Sequence, residues 1–118
     1  MINRKNITKE QALYAVGNGE FSNEVVSSNS TVVVIMTQDW CPQWKNLSSW
    51  IYDVKVDKEI DIYELIYNKT DYFEEFAKFK ETEWKNDQIP YLRYYKNGSL
   101  FNETNYVDNK RFIEIAGS

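Results

Sequence analysis

The run Thr31-Val32-Val33-Val34-Ile35-Met36-Thr37 constrains this chain more than any other stretch. It is rich in β-branched residues and shows no alternation of polar with apolar side chains. A strand with one face in water alternates; a strand without alternation must be covered on both faces, as in the middle of a parallel sheet. The run therefore predicts a central strand, with helices above and below the sheet to cover it.

The flanking segments supply those helices. Thr8-Lys9-Glu10-Gln11 has the pattern of a capping box, in which the Thr8 hydroxyl and the Gln11 amide satisfy free backbone donors at a helix start. Ala12, Leu13, Ala15 and Val16 then share one helical face, and Gly17-Asn18-Gly19 is expected to end that helix in a left-handed turn. Phe21 to Val26 predicts one more helical turn, and Ser27 to Ser30 a loop. Residues 1–30 thus read as a helical region, with no convincing strand among them, which leaves open whether they also add a strand to the sheet. Beyond the central run, Trp44, Leu47, Ile51 and Val54 recur at helical spacing, predicting an amphipathic helix over 42–53.

Ile60 to Asn68 offers apolar residues on both sides and reads as a second strand. Asp71-Tyr72-Phe73-Glu74 is again a capping-box pattern, and Phe73, Phe76, Ala77, Lys80 and Trp84 line up along the helix that follows. Ile89-Pro90 precedes the strand-like Tyr91 to Tyr95, and Asn97-Gly98 joins it to Ser99–Thr104. Asn-Gly between two such runs signals a hairpin, because both residues accept the positive φ of a tight turn. Asn109 reads as the cap of a last helix carrying Phe112, Ile113, Ile115 and Ala116. The order helix, strand, helix, strand, helix, hairpin, helix predicts an α/β fold: a small mixed β-sheet with helices on both faces.

A chain of 118 residues has room for one hydrophobic core. The whole of 1–118 is accordingly read as a single domain, with residues 1–30 as its N-terminal helical region and 31–116 as its core. Apolar residues at 42% and aromatic residues at 16% support an ordered interior. The net charge of -4, with basic residues scattered, argues against nucleic acid as a partner. No run approaches the ~20 apolar residues of a membrane span, and none has signal-peptide length after Met1, so a cytoplasmic location without membrane contact is expected. The sequence contains one cysteine and no histidine. An internal disulfide, a Cys-His pair and a structural zinc site are therefore not expected, and no cofactor is implied.

That cysteine, Cys41, lies in Asp39-Trp40-Cys41-Pro42-Gln43-Trp44-Lys45, where the central strand gives way to a helix. With Pro42 at the first helical position, Cys41 becomes the N-cap, where free amides and the helix dipole favour a thiolate. The plainer alternative is an inert, buried cysteine behaving as a small hydrophobe. Trp40 and Trp44 read either as an aromatic shelf beside the sulfur or, for Trp44 above all, as core packing. Tyr91, Tyr94 and Tyr95 read as sheet residues whose hydroxyls reach water, and Asp39 and Asp61 as solvated charges at loop and strand ends.

In order and spacing these features resemble a thioredoxin-like protein over about Val32 to Ala116. Trp40-Cys41-Pro42-Gln43-Trp44-Lys45 resembles the thioredoxin Trp-Cys-Gly-Pro-Cys-Lys segment, with Cys41 at the nucleophile. Ile89-Pro90 resembles the family's Ile-Pro dipeptide, whose proline is cis and whose preceding residue pairs with an extended substrate. The resemblance implies a three-layer sandwich, with Cys41 catalytic and Trp40, Pro42, Trp44, Ile89 and Pro90 on the substrate side. Two departures narrow this. Trp44 stands where the resolving cysteine belongs, and Ile35 stands where thioredoxins bury an aspartate; Pro42 is closer to the glutaredoxin pattern.

The ordinary dithiol reductase cycle is thus not expected, and a monothiol exchange is. Cys41 would form mixed disulfides with small thiols or partner proteins in redox homeostasis. The alternative is a non-catalytic thioredoxin-fold module that binds a protein or peptide.

Overall fold

In the computed structural model, which describes residues 1–117, Thr31–Thr37 is strand β2 and is buried at every position. It pairs on one side with β3 (Ile60–Ile66), parallel, and on the other with β4 (Tyr91–Lys96), antiparallel. Outside these lie β1 (Ile2–Asn6), parallel to β3, and β5 (Ser99–Thr104), antiparallel to β4. The sheet is mixed and five-stranded, in the order β1-β3-β2-β4-β5, with the unalternating run at its centre.

Helices cover both faces. Because side chains alternate along a strand, Val32, Val34 and Met36 of β2 point to one layer, with Tyr63 and Leu65 of β3 and Tyr91 and Tyr95 of β4. That layer is closed by α1 (Lys9–Asn18), α2 (Asn23–Val26) and α4 (Phe73–Thr82), through Ala12, Ala15, Val25, Phe76 and Phe79. Val33 and Ile35 point to the other layer, with Ile60, Ile62, Leu92 and Tyr94. There α3 (Pro42–Ser48) and α5 (Asn109–Ala116) contribute Trp44, Leu47, Phe112 and Ile115. The α/β sandwich expected from the sequence is the fold observed.

Local signals behaved unequally. The Thr8–Gln11 capping box forms in both directions, at 3.1 Å and 2.9 Å, and Gly19 closes α1 at φ 80. Asn97 at φ 51 and Gly98 at φ 84 make the tight turn between β4 and β5. By contrast, Asp71 does not cap α4: Tyr72 is the N-cap, with no side-chain hydrogen bond, and Asp71 pairs with Lys9 at 2.7 Å. Asp108, not Asn109, caps α5 by accepting from the Arg111 amide at 2.8 Å.

The helix expected over 42–53 stops at Ser48 and resumes as a short 3₁₀ turn at Ile51–Asp53, which keeps Ile51 in the core. Residues 1–30 are not wholly helical: Ile2–Asn6 adds β1 at the sheet edge. There no residue is fully buried, and Arg4 and Lys5 pair with Glu64 and Asp61, so no apolar run marks the strand.

Candidate functional site

Cys41 is set at one end of the sheet by the strand before it and the helix after it. Beyond Thr37 the chain turns, with the Cys41 amide donating to the Gln38 carbonyl at 3.2 Å. Cys41 is then the extended N-cap of α3, Pro42 occupies its first turn, and the Cys41 carbonyl accepts from the Lys45 amide at 3.1 Å. Asp39 ties this turn to the segment after β3. Its amide donates to the Asn68 side chain at 3.0 Å, and its carboxylate accepts from Asn68 at 2.8 Å and pairs with Lys69 at 3.1 Å. The Asn68 hydrogen bond and then Lys69 hold the Asp39 carboxyl below its usual range. Asp39 is thus committed to this strut rather than to the sulfur.

The Cys41 side chain faces inward. The residue is 4% exposed and packs in the layer that holds Ile35, Trp44 and Leu92. Its Sγ lies 3.8 Å from the carbonyl oxygen of Ile89, the residue before Pro90, and the Ile89–Pro90 peptide is cis. The segments that the sequence singled out separately, 39–45 and 89–90, therefore meet across one sulfur–oxygen contact. Of the two flanking tryptophans, Trp44 is buried in the core layer, whereas Trp40 is 59% exposed and donates from Nε1 to the Gln38 side chain at 2.7 Å. Of these two, Trp40 is the one whose ring is at the surface. Pro42 is exposed, Ile89 half-buried and Pro90 buried.

Several residues of this end were not singled out as site residues from the sequence. Asn105 donates to the Pro90 carbonyl at 3.1 Å, and its amide is paired with that of Asn86. The Tyr106 hydroxyl donates to Asn46 of α3 at 2.6 Å, fastening the segment after β5 beside the cysteine helix. Lys80 of α4 is 1% exposed and holds the loop that leads to Ile89, donating to the carbonyls of Asn86 and Gln88. Its place in the apolar series Phe73, Phe76, Ala77, Lys80 was the one legible sign, since a charge on a core stripe needs buried partners.

Other expectations are corrected. The hydroxyls of Tyr91, Tyr94 and Tyr95 do not reach water but bond to Glu103, Thr104 and Glu20. Burial pushes all three phenols up, Tyr94 to about 12. Asp61 is not a solvated charge. It is 2% exposed and accepts from Ser28 and Asn3 and pairs with Lys5, at the start of β3 and so at the far end of the sheet from Cys41. Burial pushes its carboxyl up, but these hydrogen bonds outweigh burial and hold it below the usual range. Among the described residues, no group of three or more Asp, Glu, Cys or His is arranged to hold a metal ion, and no helix is long and apolar enough to cross a membrane.

No protein-family model matches this sequence, and no curated protein matches it. Solved structures do share its fold. A point mutant of a thioredoxin from Halobacterium salinarum superposes over 97% of this chain and 88% of its own, with a TM-score of 0.68 at 12% identity. Thioredoxin O2 of Arabidopsis thaliana covers 98% of this chain and 96% of its own, with a TM-score of 0.67 at 15% identity. The oxidised thioredoxin of Plasmodium falciparum covers 98% of this chain and all of its own, with a TM-score of 0.65 at 19% identity. The chain has a thioredoxin-like fold over nearly its whole length.

Proposed function

We propose that this protein acts in thiol exchange, with Cys41 as a lone nucleophile that forms mixed disulfides with small thiols or with partner proteins. The observation that carries this reading is the meeting of Cys41 Sγ with the Ile89 carbonyl, 3.8 Å apart, at one end of a thioredoxin-like sheet. In the exchange, the Cys41 thiolate attacks one sulfur of a disulfide. A new S–S bond forms to Sγ, the old S–S bond breaks, and the departing thiolate leaves with the electron pair and takes a proton from water. In a dithiol protein a second thiol would then attack the new bond at high effective concentration. Here Trp44 fills that place, so the adduct persists until an external thiol removes it. Chain 1–118 is proposed to work as one domain, with Trp40, Pro42, Ile89 and Pro90 bordering the approach and Trp44 supporting it from the core.

Incubation with oxidised glutathione, followed by intact-mass analysis, tests the reading. One glutathione adduct on the protein and none on Cys41→Ser is the expected result. No adduct at neutral pH, under conditions that label ordinary reactive thiols, overturns it. The 4% exposure of Cys41 favours a second reading, a thioredoxin-fold module that binds a partner without chemistry. Alkylation of Cys41 that is slow in the folded protein even at high reagent, and fast only in denaturant, supports that module instead.

A further inference from the structure

We propose that Lys80 is a positioning residue for the Cys41 site, its ammonium holding loop 86–90 in the shape that sets the Ile89 carbonyl against the Cys41 sulfur. This rests on Cys41 being the reacting group, as proposed above. Lys80 lies on the core side of α4 and, among the described residues, forms no ion pair. A buried cation without a carboxylate needs hydrogen bonds for every N–H. An ammonium has three donors, and three acceptors surround it: the Asn86 carbonyl at 2.9 Å, the Asn86 side-chain oxygen at 3.3 Å and the Gln88 carbonyl at 2.6 Å. Donors and acceptors match in number, and every acceptor comes from the loop that delivers Ile89.

Within the loop the Gln88 amide also donates to the Asn86 side-chain oxygen, at 3.1 Å, so Lys80 and Gln88 share that acceptor. The loop leaves the helix through Lys85 at φ 53, a left-handed conformation that side chains other than glycine adopt only under restraint. The Asn86 amide then returns to the Lys80 carbonyl at 3.1 Å, so Lys80 holds the loop with both its backbone and its side chain. Gln88 is the neighbour of Ile89, and Asn105 fixes the Pro90 carbonyl on the far side. Ile89 is thereby held between two clamps, and it packs against both core layers. Releasing the Gln88 carbonyl frees the Ile89 carbonyl to move off the sulfur.

The clamp depends on a proton. Burial pushes the Lys80 ammonium down to about 8, while Glu81 of the same helix and Asp87 of the loop favour its charge. From β4, the Tyr91 ring lies 5.5 Å from Nζ with its hydroxyl given to Glu103; Arg93, on the same face, is engaged by Glu20, Tyr91 and Tyr95. The neutral amine keeps two N–H for three acceptors and loses the charge that strengthens them. The sign for global stability is the reverse. Between about 8 and the ordinary value of 10.5 the unfolded chain holds the proton and the folded one does not, so this group makes the fold more stable as pH rises. A rise in Cys41 modification across pH 8 steeper than thiolate formation alone accounts for would therefore report the loop rather than weakening of the fold by this lysine.

The test compares iodoacetamide alkylation of Cys41 in the native protein and in Lys80→Met, which keeps the buried stem and removes the donors, from pH 7 to pH 9. Alkylation reads access to the sulfur whether or not glutathione forms an adduct, so failure here and failure of the exchange reaction are distinguishable. The expected result is alkylation about five-fold or more faster in Lys80→Met at pH 7, with the ratio of the two rates falling toward one by pH 9. A ratio near one at pH 7, or a ratio unchanged across the range, overturns the proposal. Should Lys80→Met fail to fold, hydrogen exchange of the native protein decides. Protection of amides 86–89, corrected for the intrinsic pH dependence, is expected to fall relative to β2 across pH 8; protection in constant proportion to β2 overturns it.

Discussion

The two layers on either side of the sheet differ in how much charge they bury. The layer closed by α3 and α5 holds Cys41 among apolar side chains, with Ile35 fully buried, and carries one buried carboxylate among the described residues, Glu64 of β3, which is bonded to Arg4 and Tyr52. The layer closed by α1, α2 and α4 contains Lys80 and Arg93 and, at its far end, Asp61, each nearly inaccessible and each bonded. Arg93 is the densest case. It donates to Tyr95, Tyr91 and Glu20 at 2.8, 2.8 and 2.6 Å and stacks 4.1 Å from the Trp84 ring. Burial opposes its charge, and Tyr95 with Glu20 overcome that opposition, holding its proton more firmly than usual. The carboxylate beside Ile35 in the cysteine layer is therefore engaged by Arg4 and Tyr52, while the opposite layer uses its polar groups to fix loops and strand ends. Ile89 touches both layers and joins the two.

The contrast is broken most severely by placing a second carboxyl in the cysteine layer. Ile35→Asp buries a carboxyl beside that of its cross-strand neighbour Glu64 and removes a packed side chain, and is expected to lower stability by about 4 kcal/mol at pH 7. Burial raises the folded pKa of such a carboxyl, so the folded state holds the proton longer than the unfolded one and the loss shrinks as pH falls toward 4. Urea denaturation at pH 7 and pH 4 measures both; an unchanged midpoint at pH 7 would show that this layer tolerates a second carboxyl after all.

Removing a charge from the other layer comes next. Arg93→Met takes away three hydrogen bonds and the stacking on Trp84, while Tyr91 and Tyr95 keep their carboxylates. The expected loss is about 3 kcal/mol, with the Trp84 fluorescence altered before unfolding begins. A denaturation midpoint within error of the native protein would mean that the network contributes no net stability.

The smallest effect sharpens the comparison at the sheet's far end. Asp61→Asn keeps the shape but gives up a carboxylate that is held below its usual pKa, and should cost about 1–2 kcal/mol at pH 7. The native contribution is present above the unfolded value of 3.8 and is lost as pH falls through the lower folded value. The two proteins are therefore expected to converge in stability at low pH. A gap that stays constant down to pH 2 would assign the loss to packing instead.

Much of the architecture was legible because its signals are local or periodic. The unalternating β2, the Thr8–Gln11 box and the Asn97–Gly98 turn each carry their own physical reason within a few residues. Asp71 shows the limit of such signals. Its pattern matched a capping box, but Lys9, far away in sequence, took the carboxylate. Whether residues 1–30 add a strand stayed open in the sequence because an edge strand with one partner, as β1 is, needs no apolar run. The tyrosines of β4 were misread because an alternating strand says which side chains share a face, and nothing in it says that Glu20 and Glu103 wait on that face.

By itself the sequence determined the central strand, the helix beginning at Pro42, the tight hairpin and the single sulfur around which any chemistry must be arranged. Each follows from spacing, ring constraint or residue count, none of which needs a distant partner. Tertiary structure alone decided that Cys41 faces the Ile89 carbonyl, that Trp44 is core while Trp40 is surface, and that a buried lysine grips the loop between them. The first depends on residues 48 apart in sequence being brought together, and the others on burial, which changes what a side chain must do once it is there.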